Sequence, residues 1–277
     1  MTLPPGVSGA RRIGGGDINE AYRVTLADGR AAFVKTRAQT IPGEYAAEAA
    51  GLRWLAEPGH LRTPAVLALE EEYLALEWVE PGRLSEEGAE ELGRGLALTH
   101  LAGAEQFGAP PGAPPATGFG SLRLPNEPVS DWPTFYAQRR LAPLLRIARE
   151  RRALAESGAA AVERVCERIE ELCGPPEPPS RLHGDLWGGN VMAGADGRAW
   201  LIDPSCYGGH REVDLAMLRL FGAPSRTIFD AYEEAAPLSD GASERVELYQ
   251  LAPLLVHAIL FGGSYGAAAE RAARSYT

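Results

Sequence analysis

The order of apolar and polar positions divides this chain into two unlike parts. Residues 13–35 (IGGGDINEAYRVTLADGRAAFVK) hold a glycine run and then two short apolar stretches around Ala27-Asp28-Gly29, which predicts a hairpin whose second strand ends at Lys35. Tyr45, Ala49, Leu52 and Leu55 then recur at helical spacing, and Pro58-Gly59 ends the pattern. Residues 65–69 (AVLAL) and 73–79 (YLALEWV) are short apolar runs split by three glutamates, and they read as two further strands of an antiparallel sheet. Pro81-Gly82 breaks the pattern, so a boundary is expected near residue 80.

Downstream the period changes to that of helices, expected over 86–102, 132–149, 153–173, 212–221, 226–235 and 243–261, with a Pro/Gly-rich loop at 108–128. Asp196-Gly197 lies between short apolar runs and predicts a small hairpin inside the helical part. The expected fold class is therefore α+β and bilobal. A β-rich lobe with one helix covers residues 1–79, and a larger, mainly helical lobe covers 80–277.

Composition narrows the function. With 45% hydrophobic and 23% charged residues the chain reads as globular, and a formal charge of −10 argues against a nucleic-acid or anionic-membrane surface. Cys166, Cys173 and Cys206 form no C-x-x-C pair, the N-terminus lacks an apolar signal core, and no run is long enough to cross a membrane, so the cytoplasm is the expected compartment. Lys35 is the only lysine among 27 basic residues. A position that keeps lysine where arginine serves elsewhere points to a compact ammonium meeting phosphate as a point charge.

The remaining parts of a phosphoryl-transfer site follow in order. Asp185 and Asn190 in HGDLWGGN have the five-residue separation of a kinase catalytic loop, in which the Asp faces the attacking hydroxyl and the Asn reaches a metal. Asp203 ends the apolar run AWLI just past the hairpin, where its carboxylate can meet a metal bridging ATP phosphates. On the helix after Lys35, Glu48 is the favoured partner of the lysine, with Glu44 one turn away as competitor. The glycine run with Gly15, Gly16 and Asp17 can lay backbone N–H groups over phosphates. His183 and Asp185 lack a third ligand at zinc spacing, so His183 reads as a brace for the loop. ATP and Mg2+ are the expected cofactors.

From HGDLWGGN onward the chain resembles the fructosamine (ketosamine) kinase family, relatives of the aminoglycoside and choline kinases with a protein-kinase-like fold. The resemblance continues through DPSCYGGHREVDLAMLRLFG (203–222), AYEEAAPL (231–238) and LYQLAPLLVHAILFGGSY (248–265), and in the front half through GGGDINEAY, FVK and LEWV. It implies ATP-dependent phosphorylation of the 3-hydroxyl of a sugar joined to an amine, free or protein-bound, as a deglycation step. Carried over, Asp185 is the catalytic base, Asn190 and Asp203 hold magnesium, Lys35 and Glu48 manage the ATP phosphates, and Glu77, Trp78 and Val79 form the adenine hinge. Trp187 would line the sugar site, and His210 and Arg211 would meet the substrate. Asp214, in the same run, would cap its helix or brace the catalytic loop. The family usually has Ala after Asp-Pro, where this chain has Ser205. Two other readings stay open: a kinase of another small alcohol, such as choline or an aminoglycoside, and a nucleotide-binding pseudokinase.

Overall fold

The computed structural model describes residues 3–14, 20–37, 39–223 and 225–277. Its first part is a five-stranded antiparallel sheet of β1 (Ser8–Ile13), β2 (Glu20–Thr25), β3 (Ala31–Thr36), β4 (Val66–Leu69) and β5 (Tyr73–Glu77), in the order β1-β2-β3-β5-β4. Helix α1 (Glu44–Ala56) lies on one face. The two-residue period of β5 shows why its run is apolar throughout. Leu74 and Leu76 pack with Phe33 under Tyr45, Ala49 and Leu52 of α1, while Tyr73 and Ala75 join Tyr22, Val24, Ala32 and Val34 on the opposite face. Each of those leucines contributes about 1.5–3 kcal/mol on burial.

Helix α2 (Glu86–Ala102) follows, capped by Ser85, whose hydroxyl accepts from the Gly88 N–H at 2.9 Å. The stretch expected as a loop at 108–128 instead contains a hairpin of β6 (Ala116–Phe119) and β7 (Leu122–Pro125), which buries Leu122 and Leu124. Its strands are only four residues long among prolines and glycines, too short for the alternation to show. Helices α3 (Trp132–Phe135) and α4 (Ala142–Glu150) are joined by a π-helical turn, Tyr136–Leu141, and are followed by α5 (Glu156–Glu167) and α6 (Ile169–Leu172).

The centre of the second part is built from very short strands: β8 (Ser180–Leu182), β9 (Val191–Ala193), β10 (Ala199–Leu201) and β11 (Tyr207–Gly209), paired as β9–β10 and β8–β11. The expected Asp196-Gly197 hairpin is β9–β10. Helices α7 (Glu212–Leu220), α8 (Thr227–Ala235), α9 (Val246–Phe261) and α10 (Tyr265–Arg274) complete the fold. Leu186, between Asp185 and Trp187, is fully buried with Leu96 of α2, Leu215 and Leu218 of α7 and Ile228 of α8, which anchors the loop that carries Asp185 to three helices. Among the described residues no helix is long and apolar enough to cross a membrane, and Cys166, Cys173 and Cys206 are free thiols.

Candidate active site

Lys35 sits at register with Ala21 of β2 and Leu74 of β5, deep in the sheet and 7% exposed. Its ammonium donates to Glu48 Oε1 at 2.8 Å and also to Asp203 Oδ1. Glu44 instead accepts from Arg37 Nη1 at 2.7 Å, so of the two helix glutamates it is Glu48 that meets the lysine. Burial works against the charged ammonium, but Asp203 and Glu48 outweigh it and raise its pKa above the ordinary value. The cation is therefore fixed in place by two carboxylates.

Asp185 lies across the junction of the two parts. Its carboxyl is pushed up to about 7, mainly by burial and next by the neighbouring Asp203, with an Asn190 hydrogen bond opposing. Asn190 Nδ2 donates to the Asp185 carbonyl at 2.8 Å and to its Oδ2 at 3.3 Å, which leaves the Asn190 amide oxygen as an acceptor. Asp203 has φ 55°, an uncommon conformation for a residue with a side chain, and its side chain is 46% exposed. Its second oxygen meets no protein donor among the described residues. An Asp oxygen and an Asn oxygen, both hard donors, fit a divalent cation that completes its shell with phosphates and water. Among the described residues no group of three or more His, Cys, Asp or Glu side chains is gathered to cage a metal by protein alone.

The loop that carries Asp185 is held by Asp214, which is fully buried at the start of α7. Asp214 Oδ2 accepts from the His183 N–H at 2.7 Å and Oδ1 from the Gly184 N–H at 2.9 Å, while His100 Nε2 stands 3.3 Å from Oδ2. His183 Nε2 meets the Ile202 carbonyl at 3.0 Å, so this histidine ties the loop to the segment before Asp203. Gly184 has φ +80°, and a Cβ there would stand 2.1 Å from the Ser205 carbonyl oxygen. The Ser205 hydroxyl donates a hydrogen bond to the Gly118 carbonyl and so ties the β6–β7 hairpin to the site.

Several sequence expectations meet the structure differently. Gly15, Gly16 and Asp17 lie outside the described residues. Glu77 closes the β5 ladder, and Trp78 and Val79 continue past it toward Gly82, whose N–H donates to Ala193 at 2.9 Å; this is the strip joining the sheet to the second part. Trp187 is half-exposed beside Asp185. The expectation that His210 and Arg211 meet the substrate is corrected, because both are buried and engaged inside the fold. His210 stacks on Tyr249 at 5.3 Å, and the Arg211 guanidinium takes both Glu177 oxygens at 2.9 and 3.0 Å together with the Ala236 and Pro237 carbonyls. Arg211 thereby ties the proline cluster at 174–179 to the end of α8.

A small cavity beside Asp185 is lined by residues far apart in the sequence. Arg140 comes from the π-helical turn, with its guanidinium 4.0 Å above the Tyr207 ring, and Pro253, Val256 and His257 come from α9. A single arginine in a chain rich in arginine carries no signal of its own in the sequence.

The sequence model of the fructosamine kinase family matches residues 4–276. The chain belongs to the fructosamine kinase family. This kinase is 38% identical over 261 residues to the "Probable ketoamine kinase" of Thermus thermophilus, covering 93% of this chain and 90% of that one. It is 34% identical over 271 residues to the protein of the same description from Lactiplantibacillus plantarum, covering 95% and 92%. The crystal structure of a "putative fructosamine-3-kinase" from Thermobifida fusca superposes with a TM-score of 0.91 at 44% identity, covering 97% of this chain and 93% of that one. Choline kinase LicA of Streptococcus pneumoniae, at 17% identity and a TM-score of 0.62, shares the fold. The α+β bilobal, kinase-like architecture is thus shown, and so is the class of reaction: this kinase is a phosphotransferase, with ATP as the donor that its family implies.

Lys35→Ala is expected to lower kcat/KM for ATP by about 10²-fold, the size of losing one preorganised donor to phosphate. Lys35→Arg should recover little, because the planar guanidinium does not fit a buried slot shaped by Glu48 and Asp203. Steady-state kinetics with varied ATP check both.

Proposed function

We propose that this kinase transfers the γ-phosphoryl group of Mg-ATP to the 3-hydroxyl of ketosamines, the fructosamine- and ribulosamine-type adducts of sugars with amines, as a step of deglycation in the cytoplasm. Lys35, kept in place by Glu48, meets the donor phosphates, and Gly15, Gly16 and Asp17 are assigned to the same phosphates by their glycine-rich sequence. Glu77, Trp78 and Val79 line the adenine, which makes residues 1–79 the nucleotide lobe and 80–277 the catalytic and substrate lobe. Asn190 and Asp203 would hold magnesium, which would supply charge neutralisation at the phosphates. The substrate hydroxyl oxygen forms the new P–O bond, the bond to the ADP oxygen breaks, and Asp185 takes the hydroxyl proton. A carboxylate whose pKa is pushed up to about 7 suits this proton acceptance near neutral pH.

The observation that carries the reading is the position of Asp185 on a mostly apolar cavity in a chain matched by the fructosamine kinase family over nearly its whole length. The test is ADP release with Mg-ATP against ribuloselysine, fructoselysine, free amino sugars, choline and an aminoglycoside. Turnover of the ketoamines, with the phosphate located on the C3 oxygen by NMR, is the expected result. Turnover of choline or the aminoglycoside alone would keep the kinase and remove the ketosamine assignment.

A further inference from the structure

The cavity beside Asp185 is lined mostly by apolar side chains, with Asp185, Arg140 and Tyr207 among its few polar groups. His257 also lines it and stands among rings: Phe221 at 4.5 Å, Tyr265 at 5.1 Å and Phe261 at 5.4 Å between centroids. Phe221 in turn meets Trp187 edge-on at 6.2 Å, so five rings run without a break from the catalytic loop to the turn between α9 and α10. Two of them are open to solvent, Trp187 at 40% and Phe261 at 56%. The three rings between them, Phe221, His257 and Tyr265, are partly buried, so the row opens to solvent at its two ends. Gly189 provides the space for the indole, since a Cβ there would stand 2.2 Å from its outer edge. His257 Nδ1 is fixed on the Pro253 carbonyl at 2.8 Å, and burial lowers its pKa, so the rim carries no positive charge at neutral pH.

We infer that Trp187, Phe221, His257, Phe261 and Tyr265 form an amine-side subsite, where the protonated nitrogen of the ketosamine and the carbon arm beyond it lie against the aromatic faces. This inference rests on the ketosamine reading and deepens it. In a ketosamine the nitrogen is attached to C1, two carbons from the C3 that bears the reacting hydroxyl. A substrate with that hydroxyl at Asp185 therefore carries its nitrogen a short distance away, within reach of the rim. A secondary amine is protonated near neutral pH, and aromatic faces attract a cation at such a distance. The net charge of −10 favours the same ligand. Because Phe261 stands at the outer edge, the far end of the arm remains in solvent, which lets a lysine side chain within a peptide enter as readily as a free amine.

The test uses the full chain with Mg-ATP and two adducts of one sugar, one on methylamine and one on the lysine side chain of a short blocked peptide. Wild type is expected to show a lower KM for the peptide adduct. Phe261→Ala, at an exposed position that leaves folding intact, should raise KM for the peptide adduct about five-fold and leave kcat within about two-fold, with little change for the methylamine adduct. Trp187→Leu keeps apolar bulk but loses the aromatic face, and should raise KM for both adducts. Equal KM values for the two adducts in wild type, or a fall in kcat with KM unchanged in the variants, would overturn the subsite alone. Failure of wild type to turn over either adduct would overturn the ketosamine reading and the subsite with it.

Discussion

Replacing Asp185 with asparagine is expected to lower kcat by about 10³-fold, within the range for loss of a general base, with KM for ATP little changed. The same substitution should make the ligand-free protein more stable. The Asp185 carboxyl is pushed up to about 7 in the fold, mainly by burial and next by Asp203. In the unfolded chain it ionises near pH 4. Above that pH the unfolded state gains from ionisation in water, while the folded state resists it until about pH 7. The group therefore costs stability as pH rises from 4 to 7, and the cost is constant beyond. Asparagine removes it. Thermal unfolding without nucleotide or divalent cation should show the variant ahead by on the order of 4 kcal/mol at pH 8 and level with wild type at pH 4. A lower melting temperature at pH 8 would mean that Asp185 is held by favourable contacts rather than strained for chemistry.

The grouping of Lys35, Asp185, Asn190 and Asp203 is legible in the sequence because rarity and spacing survive translation into structure. Lys35 stood out as the only lysine, and the separation of Asp185 from Asn190 suits one tight loop: Asn190 donates back to the Asp185 carbonyl at 2.8 Å. The choice between Glu44 and Glu48 was not decidable, since both sit on one helical face. The fold separates them by giving Arg37 to the first and Lys35 to the second. His210 and Arg211 misled because polar residues beside a catalytic run look like substrate contacts, whereas Glu177, distant in sequence, claims the arginine. Among the elements, helices with long apolar stripes were readable. Strand β1 (SGARRI) was not, because it is an exposed edge strand without apolar alternation.

Removing the Asp214 carboxylate should be the most damaging change outside the reacting groups. Asp214→Ala leaves the buried N–H groups of His183 and Gly184 without acceptors and deprives His100 of its neighbour. Breaking a buried charged network of this kind costs about 3–5 kcal/mol, a large part of the stability of a typical domain. Asp214→Asn keeps only one acceptor oxygen for two N–H donors and turns an NH2 toward the other. It should lose less stability, about 2 kcal/mol, but still loosen the loop that aims Asp185. The two variants therefore separate stability from aim. Denaturant unfolding should rank wild type above Asn above Ala. At a temperature where Asp214→Asn is fully folded, its kcat should fall while its KM for ATP stays near that of wild type. Wild-type kcat in a folded Asn variant would mean that Asp214 supports the fold alone and that the catalytic loop keeps its geometry by the His183 contact with Ile202 and by the burial of Leu186.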